Sequence, residues 1–192
     1  IYTTLDARLQ DYAEKAVTQQ LGHLGMAGAN FAVQLAPQEA DRLAANGLEN
    51  VEFLISTNPG QTPKSLNKIA SGGELSRISL AIQVVAAAAS RIPSMVFDEV
   101  DAGIGGEAGA TVGRALAALS RHAQVLCVTH LPQVAAQGHQ HLRVTKTIQG
   151  KSVETQLGCL QAEEKIQEIA RMLGGVKITE QTLAHAREML ES

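Results

Sequence analysis

Three short patterns in the chain combine residue types suited to bind phosphate or a metal ion, or to activate water. The first is Ser71-Gly72-Gly73-Glu74. The apolar periodicity after it predicts a helix over residues 72–89, with Ser71 as its N-cap. Two glycines at a helix N-terminus let backbone N–H groups approach an anion closely, and the helix dipole favours a phosphate there. The pattern therefore indicates either a phosphate site, with Ser71 as a further donor, or an ordinary serine cap followed by flexible glycines.

The second pattern is the acid pair Asp98-Glu99, which directly follows the apolar run Met95-Val96-Phe97. Ligands of α/β proteins bind at the C-terminal ends of parallel strands, so both carboxylates are expected at such an edge. Asp98 is suited to hold Mg²⁺ through water, and Glu99 is suited to polarise an attacking water. Surface acids at the start of a loop explain the pair equally well.

The third pattern is His130, which ends a second apolar run over residues 124–129. A histidine there can bond a terminal phosphate or the attacking water, whereas a loop histidine with satisfied hydrogen bonds is the ordinary alternative. In this order the three patterns resemble the C-terminal half of an ATP-binding-cassette (ABC) ATPase. Its signature motif, Walker B strand, D-loop and switch histidine are matched, with Val100-Asp101-Ala102-Gly103 as the D-loop.

The resemblance narrows to the RecN family, an SMC-like group of bacterial DNA repair proteins. It covers the chain from about residue 50 to the end, and residues 1–49 add less to it. The stretches that carry it are Asn58-Pro59-Gly60, Lys68 to Arg77, Phe97 to Ile104, Val128 to Ala135, Glu168 to Gly175, Ile178-Thr179 and Leu183 to Ala186.

The resemblance implies an ATPase head that dimerises with a second head around two ATP molecules, with Mg²⁺ as cofactor. It further implies that the protein holds DNA during double-strand break repair. The residue roles that it implies are contact with the partner head's ATP for Ser71, Gly72, Gly73 and Glu74, Mg²⁺ for Asp98, catalysis for Glu99 and His130, and the head–head interface for Asp101.

A P-loop, which such an ATPase needs, is absent from this sequence. The nearest approach is 145–152, which has Gly-Lys-Ser but Thr145 in place of the first glycine, and it falls in a predicted hairpin. In the resembled family the P-loop lies on an N-terminal lobe, before the coiled coil. We therefore expect a half-head whose partners include the Walker A lobe of the same protein.

Hydrophobic periodicity and turn residues predict the helices and strands that carry these patterns. They indicate an α/β fold with a parallel-strand core and flanking helices. The resemblance implies that residues 26–192 are the C-terminal lobe of an ABC/SMC-type ATPase head. Residues 1–25 predict a helix with the stripe Leu5, Leu9, Tyr12 and Ala16, either an ordinary amphipathic helix or the returning end of a coiled coil. The other predicted elements are strands 31–35, 51–56, 94–97 and 124–129, helices 72–89, 107–120, 162–173 and 179–190, and a hairpin of 142–147 with 152–157.

Composition bounds the partners of this 192-residue chain. Hydrophobic residues make up 45% and charged residues 18%, which is typical of a globular protein and not of a disordered one. The net charge of −3 shows no overall basic excess for nucleic acid, so Lys64, Lys68 and Arg77 near the signature are not assigned to DNA. Two cysteines without a CxxC motif and no apolar run long enough for a membrane span favour a cytoplasmic protein. The resemblance implies that it is associated with the nucleoid.

Two other function classes remain open on these residues. The ATPase subunit of a transporter shares the signature, Walker B and switch histidine, although such subunits more often read Ser-Gly-Gly-Gln. A non-catalytic structural module of a DNA-tethering complex would use the same segments for assembly alone. A P-loop kinase or GTPase is excluded for this segment because it would need the missing P-loop.

Overall fold

The computed structural model describes residues 7–37, 49–149, 152–175 and 177–191. Six α-helices and seven strands lie in these ranges. They are α1 Ala7–His23, β1 Asn30–Pro37, β2 Glu49–Ser56, β3 Lys64–Ser65, α2 Gly72–Ala86, β4 Ser94–Phe97, α3 Gly106–Leu119, β5 Gln124–Cys127, α4 Pro132–Ala135, β6 Leu142–Gln149, β7 Ser152–Cys159, α5 Ala162–Gly174 and α6 Glu180–Glu191.

The strands form three small sheets in the described ranges. Strands β4 and β5 are parallel neighbours in register, from Ser94 opposite Gln124 to Phe97 opposite Cys127. This pair, with α2 before it and α3 between its strands, confirms the α/β prediction. The alternation of strands and helices over residues 51–129 also predicts that strand 51–56 is parallel to these two strands. That prediction is wrong, because β2 pairs antiparallel with β1 and β3 in a separate sheet.

The main hydrophobic core joins α1, β1, α2, β4 and α3. Helix α2 is central to it, since Ile78, Leu80 and Ala81 are fully buried there. The apolar periodicity of this helix predicts a buried face of Leu75, Ile78, Ile82 and Val85. Ile78 is fully buried, but Leu75 is 42% exposed. Burial on two sides of α2 makes a single apolar stripe a poor description of it.

Helix α1 contacts the core through its C-terminal half. Its buried side chains are Val17, Leu21 and Leu24 just beyond it. The predicted stripe does not face this core: Leu9 is 60% and Tyr12 64% exposed, while Ala16 is half-buried. Leu5 lies outside the described residues, and the coiled-coil interpretation stays a prediction.

A polar face of α1 lies along the edge of β1 that β2 leaves open. Gln10 donates to the carbonyl of Val33 at 2.7 Å, and Glu14 accepts the N–H of Val33 at 2.8 Å. Thr18 accepts the N–H of Phe31 at 3.0 Å. Side chains spaced by four residues share one helix face, so α1 satisfies a strand edge that would otherwise be open to pairing.

The C-terminal part has its own hydrophobic cluster, built from α5, α6 and the end of α4 around Ile169, Ala170, Ala186 and Ala136. The hairpin prediction is confirmed by the antiparallel pair β6–β7. Thr145 and the residues up to Gln149 lie in β6, so the stretch 145–152 does not have the strand-to-helix context that a P-loop requires. Its Gly150 and Lys151 lie outside the described residues. None of the helices in the described ranges is long and apolar enough to cross a membrane.

Candidate functional site

Ser71 caps α2 as the sequence predicts. Its hydroxyl oxygen accepts the N–H of Glu74 at 3.3 Å, and its side chain is exposed at the start of the helix. The hydroxyl proton stays free to be donated, so capping leaves the role in anion binding open.

The glycines after Ser71 are required by packing as well as by any phosphate. A methyl group at Gly72 would collide with the Oε2 atom of Glu99. One at Gly73 would lie 2.8 Å from the Cβ atom of Ala102 and 3.0 Å from the carbonyl oxygen of Glu99. Glycine therefore lets the start of α2 lie directly against the segment after β4.

That segment, residues 98–102, is called the acid turn below. The hydroxyl of Ser76 donates to the carbonyl of Asp98 at 2.6 Å, and Arg77 donates to the carbonyl of Ala102 at 2.7 Å. Arg77 is 7% exposed, and burial lowers its pKa. Arg77 therefore differs from Lys64 and Lys68, which lie near the signature and are exposed, because its guanidinium binds the acid turn.

Asp98 and Glu99 are both exposed at the C-terminal end of β4, the edge predicted for them. The Oδ1 atom of Asp98 accepts the N–H of Glu99 at 2.9 Å. Glu99 has φ +55°, a left-handed conformation uncommon for a residue with a side chain. Within the described residues, no three His, Cys, Asp or Glu side chains converge as a metal site.

Asp101 connects the acid turn to the segment after β5. Its side chain is 2% exposed, and its Oδ2 atom accepts hydrogen bonds from the Thr129 hydroxyl and from the N–H groups of His130 at 3.0 Å and Leu131 at 3.3 Å. The carboxylate thus binds residues 129–131 of the same chain, which form the histidine loop. The position of Asp101 at the head–head interface stays a prediction.

His130 lies just beyond β5, and its side chain is 72% exposed. The ring Nδ1 lies 3.3 Å from the Oδ2 atom of Asp101. Backbone bonds to Asp101 fix the loop, whereas the far side of the ring faces solvent. The structure therefore places His130 and the acid pair at one end of the β4–β5 sheet, as predicted.

Close packing of α3 supports the histidine loop from behind. A methyl group at Gly109 would lie 3.0 Å from the side chain of Leu131, and one at Gly113 would lie 2.9 Å from the carbonyl oxygen of Gln133. Glycine at both positions therefore allows α3 to lie close to α4 and to the loop before it. The loop that carries His130 is thus held by Asp101 on one side and by α3 on the other.

Sequence reasoning missed Arg77, Ser76 and Thr129. Arg77 carried the signal of a basic residue near the signature, but its burial is a property of packing. Cys127, at the end of β5, is not a candidate nucleophile, because burial, then Asp101 and Asp98, raise its pKa to about 12.

Comparison with solved structures shows the class of fold. An Smc head domain with a coiled coil and joint from Pyrococcus yayanosii superposes with a TM-score of 0.57 at 17% identity, over 85% of this chain and 29% of that one. An Smc head domain with an extended coiled coil from Pyrococcus furiosus gives 0.54 at 16% identity, over 87% and 39%. The fold is that of an SMC head domain.

Sequence comparison then gives the family. The DNA repair protein RecN of Xylella fastidiosa strain 9a5c is 52% identical over 91% of this chain and 31% of its own length. The Haemophilus influenzae RecN is 48% identical over 98% and 34%, and the Bacillus subtilis RecN 39% over 94% and 31%. The chain belongs to the RecN family and spans about a third of the length of these relatives. No family model matches it.

Proposed function

We propose that this chain is the C-terminal half of a composite ATPase head, which binds and hydrolyses ATP between two heads of a DNA repair protein. The observation that carries the proposal is the acid turn, which contacts both the signature helix α2 and the histidine loop. All three sequence patterns thereby lie in one bonded network at one edge of the parallel strands. Separate surface acids or a lone loop histidine would not need such a network.

The residues act by position and charge, which is what phosphoryl transfer requires of a protein. Ser71, Gly72 and Gly73 bind the terminal phosphate of ATP held by a second head, and Glu74 completes the signature. Glu99 orients the attacking water on the head's own nucleotide, and the exposed ring of His130 contacts the terminal phosphate. Asp101 holds the histidine loop and so links the acid pair with His130, and as part of the D-loop it lies at the interface with the second head.

The chemistry of Asp98 fits Mg²⁺. One carboxylate oxygen accepts the N–H of Glu99, and the exposed side chain leaves the other oxygen for a metal-bound water. Mg²⁺, when bound, neutralises the charge of the phosphates. A single carboxylate suits this ion, which retains several waters and takes its other ligands from substrate phosphates.

The Walker A lobe of the same protein is the proposed partner of the uncovered side of β4–β5. Val96 is 72%, Leu126 43% and Val128 61% exposed, whereas Met95 and Phe97 on the opposite face are buried. In the described ranges these two strands pair only with each other. An apolar face and open strand edges of this kind favour a covering layer, and the relatives' longer chains leave room for one.

The hairpin supports the same conclusion. Leu142, Val144, Val153 and Leu157 alternate onto one face of β6–β7, and each is at least 47% exposed. A small two-stranded sheet is marginal by itself, so this face also favours packing against a further lobe.

A role in DNA repair rests on the relatives, which are named DNA repair protein RecN. Holding or tethering DNA during double-strand break repair is the activity we propose, with no DNA-contacting residue assigned. The transporter alternative gains nothing from these relatives, and a purely structural module does not explain the exposed acid pair.

The test is ATP hydrolysis by the longer protein that contains this chain and the Walker A lobe, beside the Glu99→Gln variant and this chain alone. Turnover by the longer protein, its loss in Glu99→Gln with ATP-dependent dimerisation retained, and silence of the chain alone are expected. Absence of turnover in a folded, dimeric protein supplied with DNA would support the structural-module alternative. Unchanged turnover in Glu99→Gln would remove Glu99 from its role.

A further inference from the structure

Arg77 is a buried cation of α2 that the reaction proposed above does not use. Its guanidinium donates to the carbonyl of Ala102 at 2.7 Å and to that of Val100 at 3.4 Å. Its Nε–H is buried and has no hydrogen-bond partner among the described residues. Burying a charge with an unsatisfied donor costs free energy, so stability alone does not account for an arginine at this position.

The charges that face Arg77 come from two different elements. The carboxylate of Glu74, on its own helix, and that of Asp101, in the acid turn, both raise its pKa against the larger effect of burial. The guanidinium therefore lies between the signature segment and the turn that carries the acid pair.

Arg77 acts together with two neighbours on the same helix face. Gly73, Ser76 and Arg77 stand at positions i, i+3 and i+4, which project to one side of a helix. Gly73 allows the close approach to the acid turn, and Ser76 binds its first carbonyl, that of Asp98. Arg77 binds the carbonyls of Val100 and Ala102, so Glu99 lies between bonded carbonyls on both sides.

We propose that Arg77 is a positioning residue, which fixes the Glu99 carboxylate relative to the signature segment by binding the backbone of the acid turn. The proposal rests on the proposed function. Without the guanidinium, the carbonyls of Val100 and Ala102 lose their side-chain donor. The turn then keeps the Ser76 bond, the bond from the N–H of Ala102 to the carbonyl of Glu99 at 3.0 Å, and the bonds of the Asp101 carboxylate to the histidine loop. Because Glu99 is exposed and has a left-handed backbone, the position of its carboxylate depends on how firmly the backbone of the turn is held.

The test is Arg77→Met in the longer protein that contains the Walker A lobe, since methionine keeps the length and removes the donors. We expect kcat for ATP hydrolysis to fall at least about tenfold, because Glu99 is no longer held in position. KM should stay within about threefold of the wild-type value, because Arg77 is buried beside the acid turn and does not contact the nucleotide. Arg121→Met, at an exposed arginine after α3, and Ser79→Ala, at an exposed serine of α2, are the matched controls and leave kcat unchanged.

A double variant separates positioning from general damage. If Arg77 acts through Glu99, Arg77→Met lowers the residual rate of a Glu99→Gln protein no further, whereas a structural loss would multiply with it. Unchanged kcat in Arg77→Met, or a multiplied loss in the double variant, overturns the proposal while leaving the ATPase function standing.

Ser76→Ala tests the same contact without removing a buried charge, because Ser76 also binds the backbone of the acid turn. If Arg77→Met does not fold, a fall in kcat at unchanged KM in Ser76→Ala supports positioning of Glu99 through the backbone of the acid turn, and wild-type kcat overturns it. If the wild-type protein itself hydrolyses no ATP, the proposed function fails and this proposal fails with it.

Discussion

The carboxylate of Asp101 accepts a hydrogen bond from the backbone N–H of His130 at 3.0 Å. The same oxygen also accepts the hydroxyl of Thr129 and the N–H of Leu131, so three donors converge on one buried atom. The position of His130 thus depends on a residue in the acid turn and not on β5 alone. A movement of the acid turn will therefore also move the backbone of His130.

Asp101→Asn keeps the shape of this side chain and removes its charge. Hydrogen bonds to charged groups contribute about 1.5–3 kcal/mol, and the amide oxygen keeps part of that, so we expect the free energy of unfolding to fall by about 1–3 kcal/mol. Urea unfolding followed by circular dichroism measures it. Asp11→Asn, at an exposed aspartate paired with Lys15 at 2.8 Å, is the control and should change it by no more than about 0.5 kcal/mol. Equal effects of the two substitutions would contradict the role of Asp101.

Gly73→Ala tests the close contact between α2 and the acid turn. Its methyl group would lie 2.8 Å from the Cβ atom of Ala102 and 3.0 Å from a backbone oxygen, so the turn must shift. We expect a loss of stability of about 1–3 kcal/mol, as for other overpacked sites. Gly22→Ala is the matched control: it meets open space on α1, and alanine there should add about 0.5–1 kcal/mol. Thermal unfolding of both variants gives the signs, and a stabilised Gly73→Ala would show that the contact is loose.

Much of the fold and the existence of the site follow from local patterns. The apolar runs before Asp98 and His130 are short strands whose polar residues come at their ends, so period and position suffice to predict them. Ser71 is likewise recognisable as a cap from its place before a helical repeat. Parallel pairing of these strands then follows from the helix between them.

Contacts between segments that are distant in the sequence could not be predicted, because local periodicity carries no information on which surfaces pack together. Helix α1 contacts β1 through the polar side chains of Gln10, Glu14 and Thr18, while an apolar pattern draws attention to Leu9 and Tyr12, which are exposed. The burial of the charged side chains Arg77 and Asp101 arises from contacts between distant segments, and their residue types alone suggest a surface.

Cys127 should react slowly with thiol reagents. Its pKa of about 12 leaves almost no thiolate near pH 8, whereas a free cysteine has a pKa of about 8.5. Cys159 is exposed, so we expect a disulfide reagent to label it at least about a hundredfold faster. Absorbance kinetics with the single variants Cys127→Ser and Cys159→Ser assign each rate. Comparable rates would mean that the end of β5 is open to solvent.

Glu168 forms an ionic cluster that joins α5 to the hairpin. Its carboxylate accepts from Arg171 at 2.6 Å and lies 3.6 Å from Arg143 on β6. The hydrogen bonds from Arg171 are the main reason that its pKa is lowered, and burial opposes them. His141 lies nearby with its pKa lowered by burial, so it favours the neutral form.

Glu168→Gln should therefore destabilise the chain in a pH-dependent way. A carboxyl whose pKa is lower in the folded than in the unfolded state stabilises fully above its ordinary pKa, and the effect is lost as pH falls through the folded value. We expect a loss of about 1.5–3 kcal/mol at neutral pH, which shrinks as the pH is lowered below about 4.5. Urea unfolding of both proteins across this range measures the difference. Glu188→Gln, at a glutamate 77% exposed on α6, is the control and should show little difference at any pH. A Glu168→Gln effect that is independent of pH would assign the loss to packing and not to the charge.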